Sequence, residues 1–173
     1  MLVAAILVVF PFCMVFSAVS DTLSMTIANR VPLVLLGAFV VIAPLTGMEW
    51  TAFGWHLLAG ALALTLTFGM FALGAMGGGD AKLIAATALW MGFGMPLMQY
   101  AVFSAFFGGV LTMAILAYRA SPLSAYTGHN IFLRNFTQGT KGVPYGIALG
   151  IAGIAVYPRS PLMLWAIDRL AGG

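Results

Sequence analysis

Long apolar runs separated by short polar interruptions set the layout of this 173-residue chain. A membrane-crossing helix takes about 20 apolar residues. On that scale six runs stand out, at 2–20, 31–46, 51–73, 82–93, 97–117 and 144–157. Pro11 lies inside the first run, and the fourth is short. Between them fall a polar stretch from Asp21 to Arg30, a turn at Gly47 and Glu49, the glycine-rich stretch Gly77-Gly78-Gly79-Asp80, and a turn at Gly94 and Pro96. Residues 119–142 form the one long polar segment. Pro158 and Pro161 break the sixth run, and residues 162–170 are too short to span, which places them at the membrane interface. The pattern predicts an all-α polytopic membrane protein. It would be a six-helix transmembrane bundle with a short interfacial C-terminal helix, as a single domain over 1–173.

Composition narrows this further. The chain is 62% hydrophobic and 6% charged, with a mean hydropathy of +1.08. Soluble domains carry roughly 25% charged residues, so a soluble class is excluded and the lipid bilayer is an expected partner. A net charge of +3 rests on few residues and implies no nucleic-acid partner. Cys13 is the only cysteine, which rules out an internal disulfide and a multi-cysteine zinc site. No metal or cofactor is expected. No Lys or Arg precedes Arg30, so the first run reads as a retained span rather than a signal peptide.

Basic residues then orient the bundle. With six spans, the loops after the first, third and fifth share a side. That side holds Arg30, Lys82, Arg119, Arg134 and Lys141, five of the seven basic residues, and is read as cytoplasmic. Trp50, Trp55, Trp90 and Tyr100 fall near the opposite ends of their runs, as an aromatic belt would. Of the four acidic residues, Asp21 and Asp80 lie on the cytoplasmic side, Glu49 and Asp168 on the other. Sidedness therefore makes Asp21 and Asp80 the one possible carboxylate pair there.

Two neighbouring carboxylates resist ionising together and share a proton. One can activate water while the other, protonated, polarises a carbonyl, as in aspartic proteases. The substrate must be extended, and a triple-glycine loop beside Asp80 could pair with it through backbone. Two alternatives use the same residues. The aspartates could cap helices at a wet interface, or serve a small proton-coupled transporter. Transporters place such residues near the midplane and often carry inverted repeats, and the chain shows neither. Gly142, Gly146 and Gly150 recur every four residues, which suggests close helix packing. His56 reads as a packed or interfacial histidine. His129, in the polar segment, has no partners that would make a metal ligand set.

The exact strings sharpen the choice. Gly77 to Asp80 fits the GxGD motif of membrane aspartyl proteases, and Gly77 to Leu83 resembles the GxGDxKL form of type IV prepilin peptidases. Asp21 to Asn29 resembles that family's DxxxxxIPN pattern, with Ala28 where the pattern has proline. Val143-Pro144-Tyr145-Gly146 is similar to the start of the family's last helix. The resemblance implies a membrane-embedded aspartic endopeptidase with Asp21 and Asp80 as the catalytic residues. Its substrate would be a prepilin or pseudopilin precursor, whose leader it removes at the cytoplasmic face of the bacterial inner membrane. Candidate substrate-binding residues are Gly77, Gly78, Gly79, Lys82 and Asn29. Asn29 has turn formation as its structural alternative, and Lys82 has snorkelling to lipid phosphates. A single cysteine and a start directly at the core resemble the short Flp (tight-adherence) form, which implies no methyltransferase activity.

Overall fold

A computed structural model describes residues 1–122, 124 and 142–172. Arg134, Lys141 and His129 lie outside the described residues. Those described form helices and no strand: α1 (Leu2–Ser24), α2 (Arg30–Leu45), α3 (Trp50–Ala72), α4 (Gly78–Met91), α5 (Met95–Ala120), α6 (Gly146–Val156), a 3-10 turn (Tyr157–Arg159) and α7 (Pro161–Ala171). The all-α membrane class holds.

The count of six full-length spans is approximate. By length and hydropathy α1, α3 and α5 each suffice to cross a membrane, and α6 with α7, bent by 49°, makes a fourth span if taken as one. At 1.5 Å per residue the 16 residues of α2 and 14 of α4 cover about 24 and 21 Å. A hydrocarbon core is about 30 Å thick. α4 tolerates this because it is the central helix: every residue from Ala85 to Met91 is buried. α7 is anchored rather than detached, with Leu162 and Ala166 buried while Leu164, Ile167 and Leu170 face outward.

Packing, not amphipathicity, decides which face of each helix is inside. In α1 the buried residues are Ile6, Phe10, Cys13, Met14, Ser17 and Asp21, a stripe at helical spacing. Val8, Phe12, Val15 and Val19 on the same helix are exposed and equally apolar. The hydroxyl of Ser17 donates to the Cys13 carbonyl at 2.8 Å, so it is satisfied within its own helix. Glycines let α6 lie against this stripe. A Cβ on Gly150 would sit 2.9 Å from the Met14 carbonyl oxygen, and one on Gly153 2.9 Å from the Met14 sulfur. The expected close packing of this glycine series is therefore present from Gly146 onward, while Gly142 has open space.

The core is aromatic. Phe10 stacks on Tyr157 at 4.2 Å, and Trp90 meets Phe10 at 5.4 Å and Phe39 at 6.0 Å. The Trp90 indole N–H donates to the Leu35 carbonyl at 2.9 Å, and the Tyr157 hydroxyl to the Ile6 carbonyl at 2.8 Å. This corrects the aromatic-belt reading. Trp50 and Trp55 are exposed at the expected end, but Trp90 and Tyr100 are buried in the bundle. His56 is packed, as expected. It stacks on Phe39 and its Nδ1–H donates to the Leu89 carbonyl at 2.7 Å.

One end of the bundle gathers the C-terminal ends of α1, α3 and α5 with the N-terminal ends of α4 and α6. Gly79 lies against the backbone of Ile27, Lys82 reaches Asn29, Gly146 touches Asp21, and the Arg119 guanidinium donates to the Gly142 carbonyl at 3.2 Å. These are segments that the sequence reading placed on one side of the bundle.

Candidate active site

Asp21 occupies the last turn of α1, which runs to Ser24 before Met25 closes it in a left-handed conformation with its N–H on the Asp21 carbonyl. The side chain is 5% exposed. Its Oδ2 accepts a hydrogen bond from the Gly146 backbone N–H at 2.7 Å. Gly146 is the first residue of α6, so this N–H has no partner inside its own helix. The positive end of the α6 dipole adds to the attraction for a carboxylate. A Cβ on Gly146 would stand 2.9 Å from both Cβ and Oδ2 of Asp21. Only glycine lets the two chains meet this closely.

Asp80 is the third residue of α4 and lies ahead of the apolar run read from the sequence at 82–93. Its carboxylate reaches back to the backbone N–H of Gly77, the residue that caps the helix. This is one half of a capping box. Burial, followed by the charge of neighbouring Asp21, pushes the Asp80 carboxyl up to about 7, and the Gly77 hydrogen bond opposes them. The two aspartates thus stand within electrostatic reach of each other, each held at a helix end by a glycine N–H.

A cavity of about 420 Å³ opens beside Asp80, walled by Met70, Gly74, Gly77, Val143 and Tyr145 among others. It is partly polar and lies between the α3–α4 connection and the segment that enters α6. Such a cleft can admit water and an extended chain to a carboxylate whose partner is buried behind it. Gly108 on α5 leaves room for the Tyr145 ring, which is how that side chain comes to line the opening.

The glycine stretch is not a loop throughout. Gly77 is extended, at φ −72° and ψ 142°, but Gly78 and Gly79 already belong to the first turn of α4. Their missing side chains admit neighbours: a Cβ on Gly78 would be 3.2 Å from the Phe71 ring, and one on Gly79 3.1 Å from Ile27 Cβ. Of the three, Gly77 alone lines the cavity. Asn29 and Lys82 stand apart from it. The Lys82 ammonium donates to Asn29 Oδ1 at 2.9 Å, and both border a different, apolar cavity.

Gly146 and Tyr145 were not singled out by the sequence as site residues. Their signal was the Val143–Gly146 string together with the four-residue glycine spacing, which pointed to packing alone. Among the described residues, no group of three or more His, Cys, Asp or Glu could hold a metal ion.

Comparison with curated proteins and with solved structures returned no match. The model of the type IV leader peptidase family matches residues 8–117, more than half of the chain. That match spans Asp21 and Asp80 and stops before Gly146. A multi-pass helical bundle with a matched core of this extent belongs to the type IV leader peptidase family, whose members are prepilin-type leader proteases.

Proposed function

We propose that this protease is an aspartic endopeptidase that cleaves the leader from Flp-type prepilins, with Asp21 and Asp80 activating water at the cytoplasmic face of the bacterial inner membrane. The observation that carries the reading is that two carboxyl groups, 59 residues apart in sequence, lie within electrostatic reach of each other, with Asp80 on the wall of a cavity.

Asp21, held by the Gly146 N–H at the α6 N-terminus, is the ionised partner. Asp80 carries the proton, because burial and the Asp21 charge both oppose a second negative charge. Water between them loses a proton to Asp21 as its oxygen bonds to the scissile carbonyl carbon. Asp80 donates its proton to the carbonyl oxygen, so the tetrahedral intermediate is neutral. On collapse, Asp21 passes its proton to the departing amine nitrogen, the C–N bond breaks, and a proton returns from the intermediate's hydroxyl to Asp80. The cleaved peptide has to be extended, since a helix conceals its carbonyls. The extended backbone of Gly77 in the cavity wall suits pairing with such a chain. Gly78 and Gly79 support this indirectly, by letting α4 start against Phe71 and Ile27.

Coexpression with a candidate Flp-type prepilin tests the assignment by the mobility shift of the cleaved product. Wild-type protein should produce the shift. Asp21→Asn and Asp80→Asn should each abolish it at unchanged protein abundance, and a metal chelator should leave it intact. A fully active Asp21→Asn variant would remove Asp21 from the chemistry.

A further inference from the structure

A second cavity lies apart from the two aspartates. It measures about 560 Å³, within the roughly 300–1,000 Å³ of ligand sites. α2 and α3 both pack on α4 but barely touch each other, and the cavity is the gap they leave. Its apolar walls include Leu33 and Leu36 from α2, Ala61 and Leu64 from α3, and Leu89 from α4. Gly60 lets α3 approach the Ala85 carbonyl and Leu89 closely, and these three residues also line the cavity. From Lys82 to Leu89 the groove follows α4 for about 10 Å, at 1.5 Å per residue.

Its mouth is charged. Lys82 and Asn29 sit where α4 begins, at the same end as the two aspartates. Lys82 gives one hydrogen bond, to Asn29 Oδ1, and among the described residues no acidic side chain pairs with it. Two ammonium protons and the Asn29 amide NH₂ are left as donors. An uncompensated cation at the mouth of an apolar groove is complementary to an anion carrying a long apolar tail. A peptide helix from a partner would need a wider and flatter face than a gap between two helices.

We infer that this groove binds one anionic phospholipid, with an acyl chain between α2 and α3 and the phosphate on Lys82 and Asn29. The bound lipid closes the gap between α2 and α3 and braces the start of α4, where Asp80 is mounted. The inference rests on the groove and its charge, and it stands whether or not the aspartates are catalytic.

Native mass spectrometry of the full chain, delipidated in mild detergent and titrated with phosphatidylglycerol or phosphatidylethanolamine, tests it. Wild-type protein should retain one phosphatidylglycerol in preference to phosphatidylethanolamine. Lys82→Gln should lower the phosphatidylglycerol affinity about fivefold, the worth of one cation near an anionic lipid surface. Lys82→Arg should keep it. Ala61→Phe, which fills the groove, should lose both lipids, with helix content checked by circular dichroism. Equal retention of the two lipids by wild type, or unchanged affinity in Lys82→Gln, would overturn the proposal. So would a groove that excludes lipid because a second copy of the chain or an apolar peptide occupies it.

Discussion

The bundle buries polar side chains at both ends, and the two ends treat them differently. At one, His56 is 6% exposed, hydrogen-bonded to the Leu89 carbonyl, stacked on Phe39 and pressed by Gly92. Leu89 lies in the last turn of α4, where carbonyls lack partners in their own helix. His56 completes that helix end and leaves no space around itself. At the other end, Asp21 is as deeply buried and is also tied to a helix end, through Gly146. There, however, a second acid stands beside it and a cavity opens alongside. Burial of a polar group is common to both. Two acids within electrostatic reach of each other beside open space are found at the aspartate end, and that is where chemistry is expected.

Substitutions should separate the two ends. The largest effect belongs to the aspartates: losing either one should cut the cleavage rate by about a thousandfold or more, the scale of general acid–base catalysis, with the melting temperature little changed. Gly146→Ala comes next. Its new methyl group lands 2.9 Å from the Asp21 carboxylate and Cβ. It should lower kcat by about a hundredfold while the protein remains folded, a loss comparable to misplacing a catalytic group by an ångström.

The mirror experiment is Gly92→Ala at the histidine end. Gly92 has φ +65°, and its Cβ would be 2.5 Å from the His56 ring. Backbone strain of about 1–3 kcal/mol plus that overlap should lower thermal stability markedly, while the fraction that stays folded cleaves at the normal rate. His56→Leu should cost about 1–3 kcal/mol by leaving the Leu89 carbonyl unpaired, again without changing kcat. An activity loss in His56→Leu that exceeded its loss of folded protein would break the contrast between the ends.

The last expectation is a pH dependence. Asp80 is raised to about 7, so the acid form is present below that pH and lost above it. Cleavage needs Asp80 protonated and Asp21 charged, so kcat/KM should fall about tenfold per pH unit above pH 7. A profile flat from pH 6 to 9 would mean that Asp80 is not the acid.

Much of this arrangement was legible in the sequence because charge is rare in it. Four acidic residues distributed by sidedness leave one pair, and the structure brings Asp21 and Asp80 together. The glycine roles were less legible. Three successive glycines read as a loop, yet Gly78 and Gly79 are helical, and Phe71 and Ile27 crowd the positions where their side chains would stand. Gly146 is one glycine in an apolar, glycine-rich run, and nothing in its neighbours announces that its N–H meets a carboxylate 125 residues away. Trp90 and Tyr100 show the limit from the other direction. An aromatic side chain near the end of an apolar run suits a lipid interface and a protein core equally well. α1 makes the same point for a whole helix: lipid and core both select apolar residues, so its buried stripe emerges from packing alone.

The central claim is that Asp21 and Asp80 act as one unit, and the most direct measurement is a double-mutant cycle on cleavage. Prepilin cleavage would be timed in proteoliposomes with wild type, Asp21→Asn, Asp80→Asn and the double variant at equal protein amount. If the carboxyl groups share one proton and one water, the double variant should be no slower than the slower single variant. Losses that multiply in the double variant, or a single variant that cleaves at the wild-type rate, would contradict it.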